Sequence, residues 1–254
     1  MDKLNHRAKV NFLGTAKAVP DKDHENSHLI IEVGNRVILV DCAGNPVVRL
    51  DQAGINPLSI TDLILTHFHP DHVSGMPLLL MDLWLMGREE PLNIFGLEDV
   101  LDRAEKMLDL FDWRDWGSFY PVVFHPLPSD ENMTLIDNDG VKVVASPLCH
   151  MIPSIGIRVE FQAGALCYSS DTAPCDALVR LAQGVDLLIH EATGEGSGHS
   201  SPEQAAEIAQ RAGARKLVLI HYPPNIDKDE WVAKAKDHFK GEVVIAKDLM
   251  TLSL

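Results

Sequence analysis

The chain has 254 residues, 46% of them hydrophobic and 23% charged, with 17 Gly and 15 Pro. This globular composition excludes disordered, collagen-like and low-complexity classes. Twenty-two basic against 37 acidic residues leave a formal charge of −15, the reverse of what a broad nucleic-acid-binding face requires.

Strand-type runs open the chain at Ala8–Leu13, His28–Val33 and Arg36–Val40, the last two joined at the hairpin signal Gly34-Asn35. A short helix is expected at Pro46–Ala53. The strand Asp62–Thr66 then runs straight into His67-Phe68-His69-Pro70-Asp71-His72. Val73–Met86 reads as one long apolar helix, residues 91–96 as a strand, and Leu97–Leu110 as an amphipathic helix with acids outward. Between Glu98 and Asp139, eleven acidic residues stand against Arg103, Lys106 and Arg114. The second half predicts strands at Met133–Ile136, Val141–Ala145, Ile155–Phe161, Ala165–Ser169, Val185–His190, Lys216–Ile220 and Glu242–Ala246. Its helices are Pro174–Ala182, a Ser201-capped helix ending at Gly213, and Asp227–His238. The order predicts the α/β class: two sheets with helices outside, a four-layer αββα sandwich, as a single domain over residues 1–254.

Met1–His6 carries no apolar signal core, and Leu78–Leu85 is interrupted by Asp82 short of a membrane span. The four cysteines, Cys42, Cys149, Cys167 and Cys175, lack framework spacing. They read as reduced, mostly buried thiols of a cytoplasmic protein with no membrane partner.

Four of the six residues from His67 to His72 are potential metal donors. They begin where a buried strand ends, at the rim of a sheet. Alternate positions of an extended segment share a face, so His67 and His69 converge on one ion while Asp71 and His72 address a second. Imidazole with carboxylate suits Zn²⁺, with Mn²⁺ or Fe²⁺ as alternative occupants. His150, Asp171 and His221 also follow predicted strands and complete a set of seven donors.

This order of HxHxDH, His150, Ser170-Asp171-Thr172 and His221 resembles the metallo-β-lactamase superfamily over most of the chain, and Gly14-Thr15 and Val40-Asp41-Cys42 match it as well. The resemblance implies two Zn²⁺ per chain: His67, His69 and His150 on one, Asp71, His72 and His221 on the other, and Asp171 bridging. His69 stands where the oxygen-reducing diiron members of the superfamily carry an acid (HxExDH), and so separates the chain from them. Two further segments, His190-Glu191-Ala192-Thr193 and His199-Ser200-Ser201, resemble ribonuclease Z-like proteins. They imply His199 as a catalytic imidazole oriented by Glu191, with Asp71 steering a proton of the nucleophile. The alternative reading of His190 and Glu191 is a pair of buried, hydrogen-bonded strand ends, and it weighs more for His190 than for Glu191.

Members that process tRNA 3′ ends insert a gripping arm between the third histidine and the bridging aspartate. Here only twenty residues separate His150 from Asp171. The expectation is therefore an armless, ribonuclease Z-like, binuclear zinc phosphodiesterase using a metal-bound hydroxide. It would take small-molecule or nucleotide-derived substrates, and folded tRNA is not expected. The alternative is an ester, aryl-sulfate or lactone hydrolase on the same metals. Residues 113–120 read as a pocket wall, an interface or a packed connection, and helix Pro77–Met86 as core or as a homodimer face.

Overall fold

Continuous apolar runs such as Leu29–Ile31, Ile38–Val40 and Leu217–Ile220, buried on both faces, build the central strands of this protein, and the computed structural model describes residues 7–254. Met1–His6, expected to lack an apolar signal core, lies outside the described residues. The first strands are β1 (Ala8–Gly14), β2 (His28–Val33), β3 (Arg36–Val40), β4 (Asp62–Ile64), β5 (Leu92–Leu97) and β6 (Val122–Leu127). They are followed by β7 (Met133–Asn138), β8 (Val141–Pro147), β9 (Ile155–Phe161), β10 (Gly164–Tyr168), β11 (Leu187–Glu191), β12 (Lys216–Ile220), β13 (Glu242–Ile245) and β14 (Thr251–Ser253). The helices are α1 (Pro46–Gln52), α2 (Pro70–Val73), α3 (Met76–Leu85), α4 (Glu98–Asp109), α5 (Asp176–Leu181), α6 (Pro202–Ala212) and α7 (Lys228–Lys236).

One sheet runs β14-β1-β2-β3-β4-β5-β6 and the other β13-β12-β11-β10-β9-β8-β7. Alternation along β11 and β12 shows why they face each other. Leu187, Ile189, Val218 and Ile220 join a core shared by both sheets. Leu188, Leu217 and Leu219 turn the other way, onto Ala205, Ile208 and Ala209 of α6. Helices α1 and α4 pack on the first sheet and α5, α6 and α7 on the second, which is the expected αββα layering. Strands β3 to β6 run parallel, as do β10 to β13. Their carboxyl ends are the edge where α/β sheets place ligands.

The structure departs from the expected elements at several places. The long helix over Val73–Met86 is two helices, interrupted at Ser74-Gly75. Gly75 donates to the Cys42 carbonyl at 2.8 Å, and a Cβ there would stand 2.8 Å from the Gly44 oxygen, so only glycine permits this approach. Strand β6 carries Pro126, which weakens its signal, yet it is an edge strand, where proline is tolerated. Strand β14 has three residues, too few to show a period. The 113–120 stretch is a packed connection: Trp113 and Tyr120 are buried, and Trp116 stacks on Trp84 at 5.5 Å. Of the cysteines, Cys42 and Cys167 are buried, while Cys149 is exposed and Cys175 half-buried. Among the described residues, no helix is long and apolar enough to cross a membrane.

His28, at the start of β2, is wholly enclosed and donates from Nδ1 to the Asn26 carbonyl at 2.8 Å. Burial pushes its pKa down to about 4, against about 6.5 in an unfolded chain. Between these values the unfolded chain takes up a proton that the folded one refuses. The His28 contribution is therefore complete above pH 6.5 and is lost as pH falls towards 4. Urea unfolding of His28→Asn is expected to lose stability less steeply over pH 6.5–4.5 than the parent; equal slopes would refute this.

Candidate metal centre

Strand β4 pairs only as far as Ile64, and the next residues leave the sheet in an extended form that ends at His69 (φ −88°, ψ 148°). Alternation sends His67 and His69 the same way, and Pro70 then starts α2, whose first turn presents Asp71 and His72. Three non-glycine residues adopt left-handed backbone at neighbouring strand ends: Asp41 after β3 (φ 60°), Ser170 after β10 (φ 51°) and His221 after β12 (φ 53°). Each such residue costs about 1–2 kcal/mol. Strain of this kind concentrates where function requires a particular side-chain direction.

Two donor clusters result. In the first, His69 Nδ1 lies 3.1 Å from His67 Nε2 and 3.2 Å from His150 Nε2, with Asp171 Oδ2 3.8 Å from His67 Nε2. In the second, Asp71 Oδ2 is 3.6 Å from both His72 Nε2 and His221 Nε2. Asp171 Oδ1 lies 3.6 and 3.5 Å from the same two nitrogens. The two oxygens of one buried carboxylate thus face one cluster each.

These donors fit divalent ions. His72 Nε2, His221 Nε2 and Asp171 Oδ1 are buried and lack hydrogen-bond partners, a costly state for lone pairs unless a cation takes them. Ligands bound tetrahedrally at about 2.0–2.1 Å would stand roughly 3.3 Å apart, close to the spacing of the three-histidine cluster.

Outer partners hold the rings. His72 Nδ1 donates to Asp41 Oδ2 at 2.8 Å, while Asp41 Oδ1 accepts the Thr66 amide at 2.8 Å. His150 Nδ1 donates to the Gly198 carbonyl at 2.7 Å, and His221 Nδ1 to Thr193 Oγ1 at 2.7 Å. Each bond leaves Nε2 aimed into the cluster, the usual logic of a metal-binding imidazole. Glu191, fully buried, accepts amides from Thr172, Thr193 and Ser200, and His199 Nδ1 at 2.9 Å. It ties the loops after β10 and β11 to the approach to α6. Below that approach, Ser201 and Gln204 form a capping box on α6.

The electrostatics follow from this packing. Burial works against the charge of Asp171, but His221 and His72 hold its carboxyl well below the usual range. Burial likewise opposes the charge of Asp71, and the neighbouring His221 and His72 imidazoles bring it down. Burial, then His72, pushes His67 well down, which keeps it neutral and able to bind a cation. Burial alone would lower His199, but the Glu191 hydrogen bond and charge raise it.

All seven expected donors converge, and Glu191 and His199 stand beside them. His199 also lies near Asp171 and His221, but its Nδ1 is 3.9 Å from Asp171 and committed to Glu191, so it belongs to neither cluster. His190 points away and donates to the Glu191 carbonyl at 2.7 Å. The roles of Thr66, Thr193 and Gly198 escaped sequence reasoning because their partners are distant in the chain. Asp41 had two visible signals, an acid directly after the apolar run Val37–Val40 and the family match of Val40-Asp41-Cys42. The aromatic stretch 113–120 and the acidic loop 21–25 do not line the pocket over the clusters.

This fold and paired donor set define a metal-dependent hydrolase of the metallo-β-lactamase kind. The chain belongs to the β-lactamase superfamily: the family described as "Beta-lactamase superfamily domain" matches residues 36–222. A ribonuclease Z of Methanothermobacter thermautotrophicus is 28% identical over 305 aligned positions, covering 97% of this chain and 96% of that one. The structure of human tRNase Z, short form, superposes with a TM-score of 0.81 at 27% identity, covering 96% of this chain and 98% of that one. The metallo-β-lactamase fold protein YhfI from Bacillus subtilis superposes at 0.83 with 22% identity, covering 98% and 100%. Superfamily, cluster and relatives together make this a metal-dependent phosphodiesterase of ribonuclease Z-like type.

Two substitutions test the outer partners. A Cβ at Gly198, whose φ is +76°, would meet His150 Nδ1 at 2.8 Å. Gly198→Ala is expected to lower bound divalent metal with the circular dichroism spectrum preserved; full metal content would remove the close-packing argument. Asp41→Ala leaves the Thr66 amide and the His72 Nδ1–H buried without an acceptor. It should lower the stability of metal-free protein by about 3 kcal/mol in urea, and a loss below about 1 kcal/mol would contradict this role.

Proposed function

We propose that this chain is an armless, ribonuclease Z-like phosphodiesterase working on two Zn²⁺ and taking small or nucleotide-derived diesters. The observation that carries the reading is Asp171, whose two oxygens face two separate donor clusters. In this reading His67, His69 and His150 would hold one ion and Asp71, His72 and His221 the other, with Asp171 available to both. Bound ions of this class lower the pKa of a coordinated water towards about 7 and polarise phosphoryl oxygens.

The chain's own residues supply the rest. Asp71, kept ionised by its imidazole neighbours, accepts a hydrogen bond from the nucleophilic water and orients it. His199, its protonated form favoured by Glu191, donates a proton to the departing alkoxide. Glu191 holds the ring with Nδ1 occupied, leaving Nε2 for that transfer.

The missing arm supports small substrates. Between β8 and Asp171 the chain makes only the hairpin of β9 and β10. Alignment to the archaeal relative spans 305 positions against 254 residues here, so that relative carries segments this chain lacks. The pairing of β1 with β14 supports one domain, since it joins the two ends of the described chain. The cytoplasm is the proposed location, and exposed Leu78, Leu85 and Met86 at α3 support a homodimer face.

Metal-loaded protein should hydrolyse bis-p-nitrophenyl phosphate in preference to aryl sulfate and lactone substrates. Turnover of a non-phosphate ester alone would transfer the assignment to the ester-hydrolase alternative. Asp171→Ala is expected to lose metal and turnover together. His199→Ala should lower kcat by about 10²-fold or more with metal content unchanged, and an unchanged kcat would remove His199 from the mechanism.

A further inference from the structure

The pocket above the two clusters has a volume of about 360 Å³. That is near the small end of the roughly 300–1,000 Å³ of ligand sites, with room for one nucleotide. Its floor includes Asp71, Asp171, His199 and His221. Its rim has a different chemistry. Val19, on the loop between β1 and β2, is 70% exposed, and Met151, on the loop after β8, is 60% exposed. Two large apolar side chains, one from each sheet's loops, are thus left in water beside a polar floor.

Both lips are anchored. Lys17 donates its amide to the Tyr222 carbonyl at 3.2 Å, and its own carbonyl accepts from Asn26 Nδ2 at 2.9 Å. This fixes the start of the Lys17–Val19 lip directly beside His221. Met151 packs on Gly198, where an added Cβ would stand 3.2 Å from Met151 Cγ. Lys17 is also the one Lys or Arg among the described residues lining this pocket, in a chain of net charge −15. Val19 and Met151 therefore share one pocket with Lys17, so the rim offers apolar surface beside a single cation.

We propose that Val19 and Met151 clasp a nucleobase and Lys17 neutralises the attached phosphate, so that the substrate class is an ester of a single nucleotide. This rests on the phosphodiesterase reading above and deepens it. The base contributes through apolar contact with its faces, which every base offers, so the subsite selects for a nucleotide and weakly for its identity. Hydrolysis of the diester leaves a nucleoside monophosphate with one more negative charge, and Lys17 meets that charge.

Calorimetric titration of metal-loaded protein with thymidine 5′-monophosphate and with methyl phosphate separates the parts. The expected result is binding of the nucleotide about tenfold tighter, equivalent to 1.4 kcal/mol at 25 °C. In the Val19→Ser/Met151→Ser double variant the ratio should fall towards about one. Lys17→Gln should weaken both ligands and flatten the salt dependence. Val48→Ser, which alters an exposed valine on α1, should keep the parent ratio. A ratio near one in the parent protein, or a ratio unchanged in the double variant, overturns the subsite. Turnover of bis-p-nitrophenyl phosphate is measured alongside. Its absence would sink the phosphodiesterase reading while leaving the binding ratio readable, so the two failures are distinguishable.

Discussion

The arrangement depends on one buried carboxylate. Asp171 is 2% exposed and stands at the carboxyl end of β10, with imidazole nitrogens on both sides of it. Removing an isolated carboxylate from water is prohibitively costly, and here His221, His72 and His67 repay that cost in the charged state. The same placement forces two donor clusters, because the two oxygens of a fixed carboxylate point apart. Neither sheet alone could build this arrangement. His67, His69, Asp71 and His72 come from the end of a strand in the first sheet, while His150, Asp171 and His221 come from three strand ends in the second.

Around this core, Asp41 and Glu191 perform matching tasks in the two sheets. Each is a fully buried acid at a strand end that accepts a ring nitrogen and at least one backbone amide from another loop. Hydrogen bonds to charged groups are stronger than neutral ones, so each acid both positions an imidazole and fastens loops that have no sheet partners. The left-handed residues at Asp41, Ser170 and His221 show that part of the stability so gained is spent on side-chain direction.

The overall charge of −15 and the proposed phosphate chemistry are compatible because they operate at different scales. In the proposed two-ion site the ions would outweigh the two aspartates facing them, and Lys17 adds a cation at the rim. Charges several Debye lengths away, each about 8 Å in physiological salt, are largely screened from this pocket. A large polyanion would meet the acidic surface, whereas a single nucleotide meets the local field.

Much of this was legible in the linear sequence, for a physical reason. Short apolar runs bounded by turn residues determined most of the strands. The concentration of His67, His69, Asp71 and His72 after one of them determined that a divalent centre was present, because local alternation and a tight turn are short-range properties. The strands β6 and β14 were not legible, since an edge position excuses Pro126 and three residues show no period. The break at Gly75 depended on the approach of Gly44, which only the folded chain supplies. Tertiary structure alone decided that Asp41 holds His72 and that Gly198 holds His150, and it set one oxygen of Asp171, a bridge by family resemblance, towards each cluster. It also decided that Lys17, Val19 and Met151 share one rim. Each of these joins groups distant in the chain, and such pairings follow from the packing of two sheets against a common core.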